Sequence, residues 1–118
     1  MTRAKGGDIV IVDWRGGALP KEPRSLRPGI VVEDETLFTE DFSNILVVPL
    51  TTDAGITMPS LSVTIDPAPE NGCSQRCFAL AFHVTSVSTQ RVRATPSHIG
   101  REQLAAIRGR IAIAVGLV

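Results

Sequence analysis

The feature that most constrains the fold is a succession of short β-branched segments that fills the first two-thirds of the sequence. Each segment is bounded by Gly, Pro, Asn or Asp, which is typical of strands in a small barrel or sandwich. The predicted strands cover residues 8–14, 29–34, 44–51, 61–66 and 77–84. Residues 87–94 fit either one further strand or an extended linker.

The periodicity changes near the end of the chain. In residues 101–117 the apolar side chains of Leu104, Ile107, Ile111 and Val115 recur every three or four positions, which predicts a helix with one apolar face lying on a sheet. Gly116 is the expected end of this helix. The sequence therefore predicts a mainly β fold, in which a strongly bent, mostly antiparallel small sheet is capped by one C-terminal helix.

Two loops are rich in Gly or Pro. Residues 15–26 contain two glycines, two prolines and mixed charges, and they form a connection that is long for a hairpin. Long ordered loops in compact domains are usually functional or mobile. Residues 66–72 form a Pro-rich turn region with the same type of composition.

The length and composition fit a single globular domain covering residues 1–118. The chain is 43% apolar and 20% charged, which excludes wholesale disorder. Its N-terminal residues carry no apolar signal segment, and no apolar run approaches the length of a membrane span. We therefore expect a cytoplasmic protein without a membrane-spanning segment.

The charge and the aromatic content limit how the chain could bind nucleic acid. Twelve basic residues cancel twelve acidic ones, so binding to phosphates would need a local cluster of basic side chains. Tyrosine is absent, and a surface that holds bases mainly by aromatic stacking is poorly supplied. Cys73 and Cys77 are too few for a disulfide framework and are most simply free thiols.

Several polar residues fall at predicted strand ends. Arg27 precedes the second strand, Thr51 and Thr52 end the third, Asp66 ends the fourth, and His83 lies late in the fifth. If these ends converge, one pocket holds a guanidinium, hydroxyls, a carboxylate and an imidazole. Such a set suits phosphodiester chemistry, because the guanidinium stabilises developing charge and the carboxylate or imidazole transfers protons. RNA supplies its own nucleophile, the 2′-hydroxyl, so no metal is required.

Each of these residues also fits an ordinary structural role. Arg27 could form a surface ion pair with Glu33 or Asp34. The two threonines are common at strand ends, and Asp66 before Pro67 readily forms an Asx turn. His83 could be a hydrogen-bonded, half-buried histidine.

Metal and nucleotide motifs are poorly represented. Cys73, Cys77, His83 and His98 include the residue types of a structural zinc site, but the histidines are fifteen residues apart and the usual knuckle pattern is missing. The sequence also lacks a P-loop, a dinucleotide fingerprint and a G-x-S-x-G nucleophile elbow. We therefore expect neither a metal nor a cofactor.

Taken in order, these segments resemble the MazF/PemK (Kid) family of toxin endoribonucleases. The blocks that carry the resemblance are residues 7–13 (GDIVIVD), 27–34 (RPGIVVED), 45–53 (ILVVPLTTD), 60–66 (SLSVTID), 79–92 (ALAFHVTSVSTQRV) and 98–117 (HIGREQLAAIRGRIAIAVGL). They cover nearly the whole chain. The Arg-Pro entrance to one strand and the Pro-Leu-Thr exit of another are the most specific parts.

The resemblance implies an SH3-like small barrel that acts as a homodimer, cleaves single-stranded RNA without a metal, and is neutralised by a cognate antitoxin. The family's arginine of the Arg-Pro pair falls on Arg27, and the hydroxyl residue of its Pro-Leu-Thr motif falls on Thr51. Asp66 falls where some members carry an acidic residue. Many members have Asp-Gln or Glu-Gln where this chain has Phe82-His83, so His83 is a candidate acid or base or a substitute hydrogen-bonding group.

Residues near these positions are the expected RNA contacts, namely Arg15, Lys21, Arg24, Thr52 and Arg91. A different class of function also remains open. The same fold carries non-catalytic binders, such as the CcdB-like gyrase poisons, which rely on a C-terminal tail containing Trp. The present chain ends IAVGLV and has its only tryptophan at Trp14.

Overall fold

The computed structural model describes residues 3–14 and 26–118 of the chain. The strands in these residues are β1 (Asp8–Asp13), β2 (Leu26–Val31), β3 (Asn44–Thr51), β4 (Ser62–Ile65), β5 (Cys77–Leu80), β6 (Thr85–Ser88) and β7 (Val92–His98). One α-helix, α1 (Arg101–Ala114), follows the last strand. Short 3-10 turns lie at Glu35–Leu37, Ala54–Ile56, Ala81–His83 and Thr89–Arg91. The predicted mainly β architecture with a C-terminal helix is confirmed.

The strands form one bent antiparallel sheet in the order β4-β5-β3-β2-β1-β7, and β6 pairs with β3 beside this path. β3 is the central element. One of its edges pairs with β2, and the other pairs first with β6 and then with β5. The turn Ala81–His83 lies between β5 and β6, so these two strands act as one interrupted partner of β3.

The alternation of side chains along the central strands creates two apolar clusters on opposite faces. In β1, Ile9 belongs to the first cluster, whereas Val10 and Val12 belong to the second. The first cluster also holds Ile65 and the fully buried helix residue Ile107. The second is smaller and holds Trp14, Val31, Ile45, Val47 and Val87. α1 therefore covers the first face, and the functional candidates discussed below lie towards the second.

The C-terminal helix agrees with the predicted apolar stripe except at its last member. Leu104 and Ile111 pack against the first cluster, as expected, but Val115 follows the helix and is exposed. Gly116 ends the helix as predicted, with φ of +81°. Its N–H donates to Ile113 O and the N–H of Leu117 donates to Ala112 O, which is the Schellman arrangement.

Three predicted strand boundaries need correction. β2 begins at Leu26, so Arg27 and Pro28 lie inside the strand rather than before it. The ladder between β2 and β3 starts one residue after Pro28, at the pair Gly29–Pro49, and so the missing N–H of Pro28 falls outside it. The predicted strand 77–84 ends at Leu80, and residues 87–94 divide between β6, a 3-10 turn and β7.

Within the described residues, no helix has both the length and the apolar character needed to span a membrane.

Candidate functional site

Arg27 and Thr51 lie at the same end of two neighbouring strands. The pairs Ile30–Val48 and Gly29–Pro49 fix the antiparallel register of β2 and β3, and continuing it by two residues brings Arg27 level with Thr51. Because side chains alternate along a strand, both residues point to the face that carries Val31 and Val47 in the second cluster. The register therefore brings Arg27 and Thr51 level on one face of the sheet.

Both side chains are held in partly dry surroundings. Thr51 is only 5% exposed, and its Oγ1 accepts a hydrogen bond of 3.1 Å from the backbone N–H of Asp53. Arg27 is half-buried, with Nε and Nη1 shielded from solvent. Charge stabilisation is stronger in such surroundings than in bulk water.

His83 belongs to a groove on the same side of the sheet. The groove has a volume of about 390 Å³ and is lined by Trp14, Phe82, His83, Val84, Thr85, Ser86, Val87 and Arg91. His83 is the last residue of the 3-10 turn between β5 and β6, not a residue of the fifth strand as predicted. Its ring contacts the Phe82 ring at a centroid distance of 4.6 Å. Burial lowers the pKa of His83 below its ordinary value, because desolvation disfavours the imidazolium.

Arg91 forms one wall of this groove and is held by the backbone. Its Nε donates a 2.8 Å hydrogen bond to the carbonyl oxygen of Asp13, at the end of β1. The charged head is thereby fixed next to Trp14. Trp14 and Phe82 are groove residues that the sequence analysis did not select. The alternation Val10-Val12-Trp14 was the available signal for the first of them.

Gly29 lies directly against the ring of Trp14, which is one of the groove residues. A Cβ at this position would lie 3.2 Å from the Trp14 ring and 3.1 Å from the carbonyl oxygen of Val48. The close approach explains why a residue without a side chain follows Arg27-Pro28.

Asp66 lies outside the groove. It follows β4, and its carboxylate binds Arg76 at 2.7 Å on the exposed surface. The expected Asx turn at Asp66 is wrong, because the backbone N–H of Ala68 donates to Asn71 Oδ1 instead. The structure therefore does not bring this carboxylate together with His83.

The other predicted RNA contacts and the predicted ion pair of Arg27 can be compared with the structure in turn. Thr52 is exposed directly after β3. Arg15, Lys21 and Arg24 lie outside the described residues. The proposed surface ion pair of Arg27 with Glu33 or Asp34 is wrong for both carboxylates. Glu33 binds the buried Arg3 side chain at 2.9 Å, and Asp34 accepts hydrogen bonds from the backbone and hydroxyl of Thr36.

The residue types of the zinc alternative do not form a common cluster. Cys73 and Cys77 lie close to one another, whereas His98 is on β7 with Nδ1 3.3 Å from the carbonyl oxygen of Ile99. Among residues 3–14 and 26–118, no group of three or more His, Cys, Asp or Glu side chains is arranged to hold a metal ion.

The fold is that of the MazF class of small toxins. MazF from Deinococcus radiodurans superimposes with a TM-score of 0.74 at 22% identity, and the match covers 96% of both chains. A mycobacterial endoribonuclease in complex with its cognate antitoxin gives a TM-score of 0.73 at 16% identity, covering 98% of both chains. The Mycobacterium tuberculosis toxin MazF-mt6 gives 0.69 at 18% identity, covering 92% of this chain and 95% of that one. The predicted mainly β fold of the MazF toxin type, with a C-terminal helix, is thereby confirmed.

Residues 5–115 match the family of PemK-like, MazF-like toxins of type II toxin-antitoxin systems, and the chain belongs to this family. A search among curated proteins found no match. The predicted family is therefore confirmed from the sequence as well as from the fold.

Proposed function

We propose that this toxin is a metal-independent, sequence-selective endoribonuclease that cleaves single-stranded RNA. The observation that carries the proposal is the position of Arg27 and Thr51 at one end of β2 and β3, on the sheet face of the second cluster, whose members Trp14 and Val87 also line the groove of His83 and Arg91. Two structurally similar mycobacterial proteins are endoribonucleases, which supports the same activity.

The reaction uses the 2′-hydroxyl of the RNA as the nucleophile. It attacks the adjacent phosphorus, its proton passes to a base, and the departing 5′-oxygen takes up a proton. The products are a 2′,3′-cyclic phosphate and a fragment with a 5′-hydroxyl. Arg27 stabilises the extra negative charge of the pentavalent phosphorus through paired N–H donors. Thr51 positions a phosphate oxygen, because its Oγ1 already accepts the Asp53 N–H and its own hydrogen remains for donation.

We assign proton transfer to His83, with Asp66 as the second candidate. The lowered pKa keeps the imidazole of His83 neutral at pH 7, which is the form that accepts a proton. The Asp66 carboxylate is exposed and bound to Arg76, so it is less well placed to act in the groove.

The proposed RNA contacts include Arg91, which lines the groove, and Thr52, which follows β3. Arg15, Lys21 and Arg24 are further proposed contacts on the basis of the sequence. We also propose a cognate antitoxin as partner, since similar structures are described as MazE-MazF complexes. The homodimer stays a prediction that rests on the family resemblance, and the cytoplasmic location also stays a prediction.

The test is cleavage of a mixed-sequence single-stranded RNA by the purified protein in EDTA. Wild type should cut, and Arg27→Ala should lower the rate by about 10²–10³ while unfolding at the same urea concentration. Arg76→Ala is the matched control, because it removes an exposed arginine outside the groove.

Two results would contradict the proposal. If Arg27→Ala cuts like wild type, the assignment of Arg27 is wrong. If wild type cuts no RNA, with or without EDTA, the alternative of a non-catalytic binder, such as a CcdB-like gyrase poison, is favoured.

A further inference from the structure

The groove beside Arg91 has the size and the walls of a pocket for one nucleobase. Its volume of about 390 Å³ falls within the range of small-molecule pockets, about 300–1,000 Å³. The chain has only four phenylalanines and one tryptophan, yet Phe82 and Trp14 both line this groove. His83 adds a third ring, 4.6 Å from that of Phe82. Proteins that read single-stranded RNA bind unstacked bases against such rings.

Arg91 presents a fixed pair of hydrogen-bond donors at this groove. Its Nε donates to the carbonyl oxygen of Asp13 at 2.8 Å, which holds the guanidinium in place. The donors that remain for a ligand are the N–H groups of Nη1 and Nη2, and the planar guanidinium sets these two side by side. A ligand with two neighbouring acceptor atoms matches this arrangement.

Guanine is the base whose edge fits these donors best. Its O6 and N7 atoms are neighbouring acceptors, and an arginine on this pair is the commonest specific contact to a base in DNA complexes. Adenine places an N6–H donor next to N7, so one N–H of Arg91 would face another donor. A phosphate also offers paired oxygens, but aromatic walls suit a flat base, and Arg27 and Thr51 already serve as the proposed phosphate contacts.

We propose that this groove is a specificity pocket that binds one guanine of the RNA, with Arg91 donating to O6 and N7 and the Phe82 ring packing on the base. The inference rests on the proposed endoribonuclease activity. His83, the proposed group for proton transfer, lines the same groove. The guanine therefore belongs to a nucleotide beside the scissile phosphate, and cleavage should occur directly next to a guanine.

The experiment measures binding without cleavage, using the full chain and short single-stranded oligonucleotides with 2′-deoxy sugars. These lack the 2′-hydroxyl nucleophile and stay intact. Every position carries uracil except the central one, which carries guanine, adenine, cytosine or uracil. Fluorescence anisotropy at one fixed salt concentration gives each Kd. Wild type should bind the guanine oligonucleotide about tenfold more tightly than the other three.

Base analogues and two variants identify the contact. Hypoxanthine keeps O6 and N7 and should bind like guanine, whereas 7-deazaguanine lacks N7 and should lose most of the preference. Arg91→Lys keeps the charge without the paired donors, so it should bind all four oligonucleotides with similar affinity. Arg93→Lys changes an exposed arginine of β7 that does not line the groove, and this matched control should retain the preference.

Three results would overturn the guanine pocket. Equal affinity of wild type for the four bases would leave Arg91 as a phosphate contact at most. Tighter binding of cytosine, whose N3 and O2 are also neighbouring acceptors, would make the groove a pyrimidine pocket. A preference for guanine that survives 7-deazaguanine or Arg91→Lys would assign the reading to other residues. If Arg91→Lys proves unfolded by far-UV circular dichroism, the 7-deazaguanine result on wild type decides.

The pocket and the proposed activity can fail separately. Cleavage of RNA by wild type at sites without a neighbouring guanine would overturn the pocket and leave the activity standing. Guanine-selective binding by a chain that cuts no RNA would contradict the activity and support the pocket.

Discussion

Removing the Arg3 guanidinium should destabilise the fold much more than removing an exposed guanidinium, because its partner is a buried carboxylate. The Glu33 side chain is 1% exposed and the Arg3 side chain 8%, and their charged atoms approach to 2.9 Å. Arg3 Nε and Nη2 donate to the two carboxylate oxygens at 3.0 and 3.2 Å. Without Arg3, the carboxylate would keep only the N–H of Leu46.

The magnitude follows from the burial of the group that is left behind. Removing one partner of a buried pair leaves an uncompensated charge and costs about 3–5 kcal/mol of unfolding free energy. An ion pair in solvent contributes about 1 kcal/mol or less. The chain contains a matched control in Arg76–Asp66, which has a similar distance of 2.7 Å but side chains that are 64% and 67% exposed. The same substitution at the two arginines therefore compares a buried cation, which also donates to the carbonyl oxygens of Phe42 and Asn44, with an exposed one.

The assay is urea unfolding at a fixed protein concentration, followed by the fluorescence of Trp14, the single and buried tryptophan. Arg3→Met should lower the free energy of unfolding by about 3–5 kcal/mol, and Arg76→Met by about 1 kcal/mol or less. Adding Glu33→Gln to Arg3→Met should recover part of the loss, because a neutral amide is cheaper to bury and its oxygen can still accept the Leu46 N–H. Equal effects of the two arginine substitutions, or no recovery in the double variant, would refute the reasoning.

Two further predictions concern the groove. His83 prefers the neutral form in the folded chain, so stability should fall as the pH drops below about 6.5, the ordinary histidine value, where the unfolded state takes up the proton more readily. The rate of RNA cleavage should fall below the same pH, and this fall should be absent in His83→Gln. A rate that falls in the same way in His83→Gln would exclude His83 as the base. Gly29→Ala should destabilise by about 1–3 kcal/mol in urea unfolding, because the new Cβ would crowd Val48 O and Trp14. A Cβ at the helix residue Gly109 would have no neighbour within 4 Å, so Gly109→Ala should raise the free energy of unfolding by about 0.5–1 kcal/mol. The opposite signs of the changes for Gly29→Ala and Gly109→Ala check the steric reasoning.

The bounds of a strand could be predicted where the local sequence marks both of its ends. β3 has the predicted bounds, since an apolar run between Asn44 and the Thr-Thr-Asp turn has clear ends. The run 77–84 was predicted as one strand because its residues are almost all apolar, and such a run does not show where a strand stops. It stops at Leu80 because β3 changes its partner from β5 to β6 at this point. That change is a tertiary event without a local signal.

The candidate site was predictable to a similar extent. Arg27 and Thr51 could be placed together from strand ends, because an antiparallel register brings such ends level. Glu33 could not be assigned its partner, because Arg3 is thirty residues away in the sequence and no local pattern links them. Asp66 lies outside the groove because it follows the end of β4 that pairs with Cys77, away from the turn that carries His83, and there its carboxylate binds Arg76.

The distribution of charge explains how a chain of zero net charge can offer a surface for a polyanion. Five of the twelve acidic residues fall in residues 33–42, and two of them, Glu40 and Asp41, line a separate cavity next to Arg3. Among the described residues, the groove lining contains Arg91 and His83 and no acidic side chain. By the family resemblance, Phe82 stands where many members carry a carboxylate, so the groove lacks that negative charge and that possible base at this position. Affinity for phosphates depends on such local charge rather than on the sum over the chain. In the proposed mechanism, proton transfer in the groove falls to the neutral imidazole of His83, and for this reason the pH profile of His83→Gln distinguishes it from a mechanism based on a carboxylate.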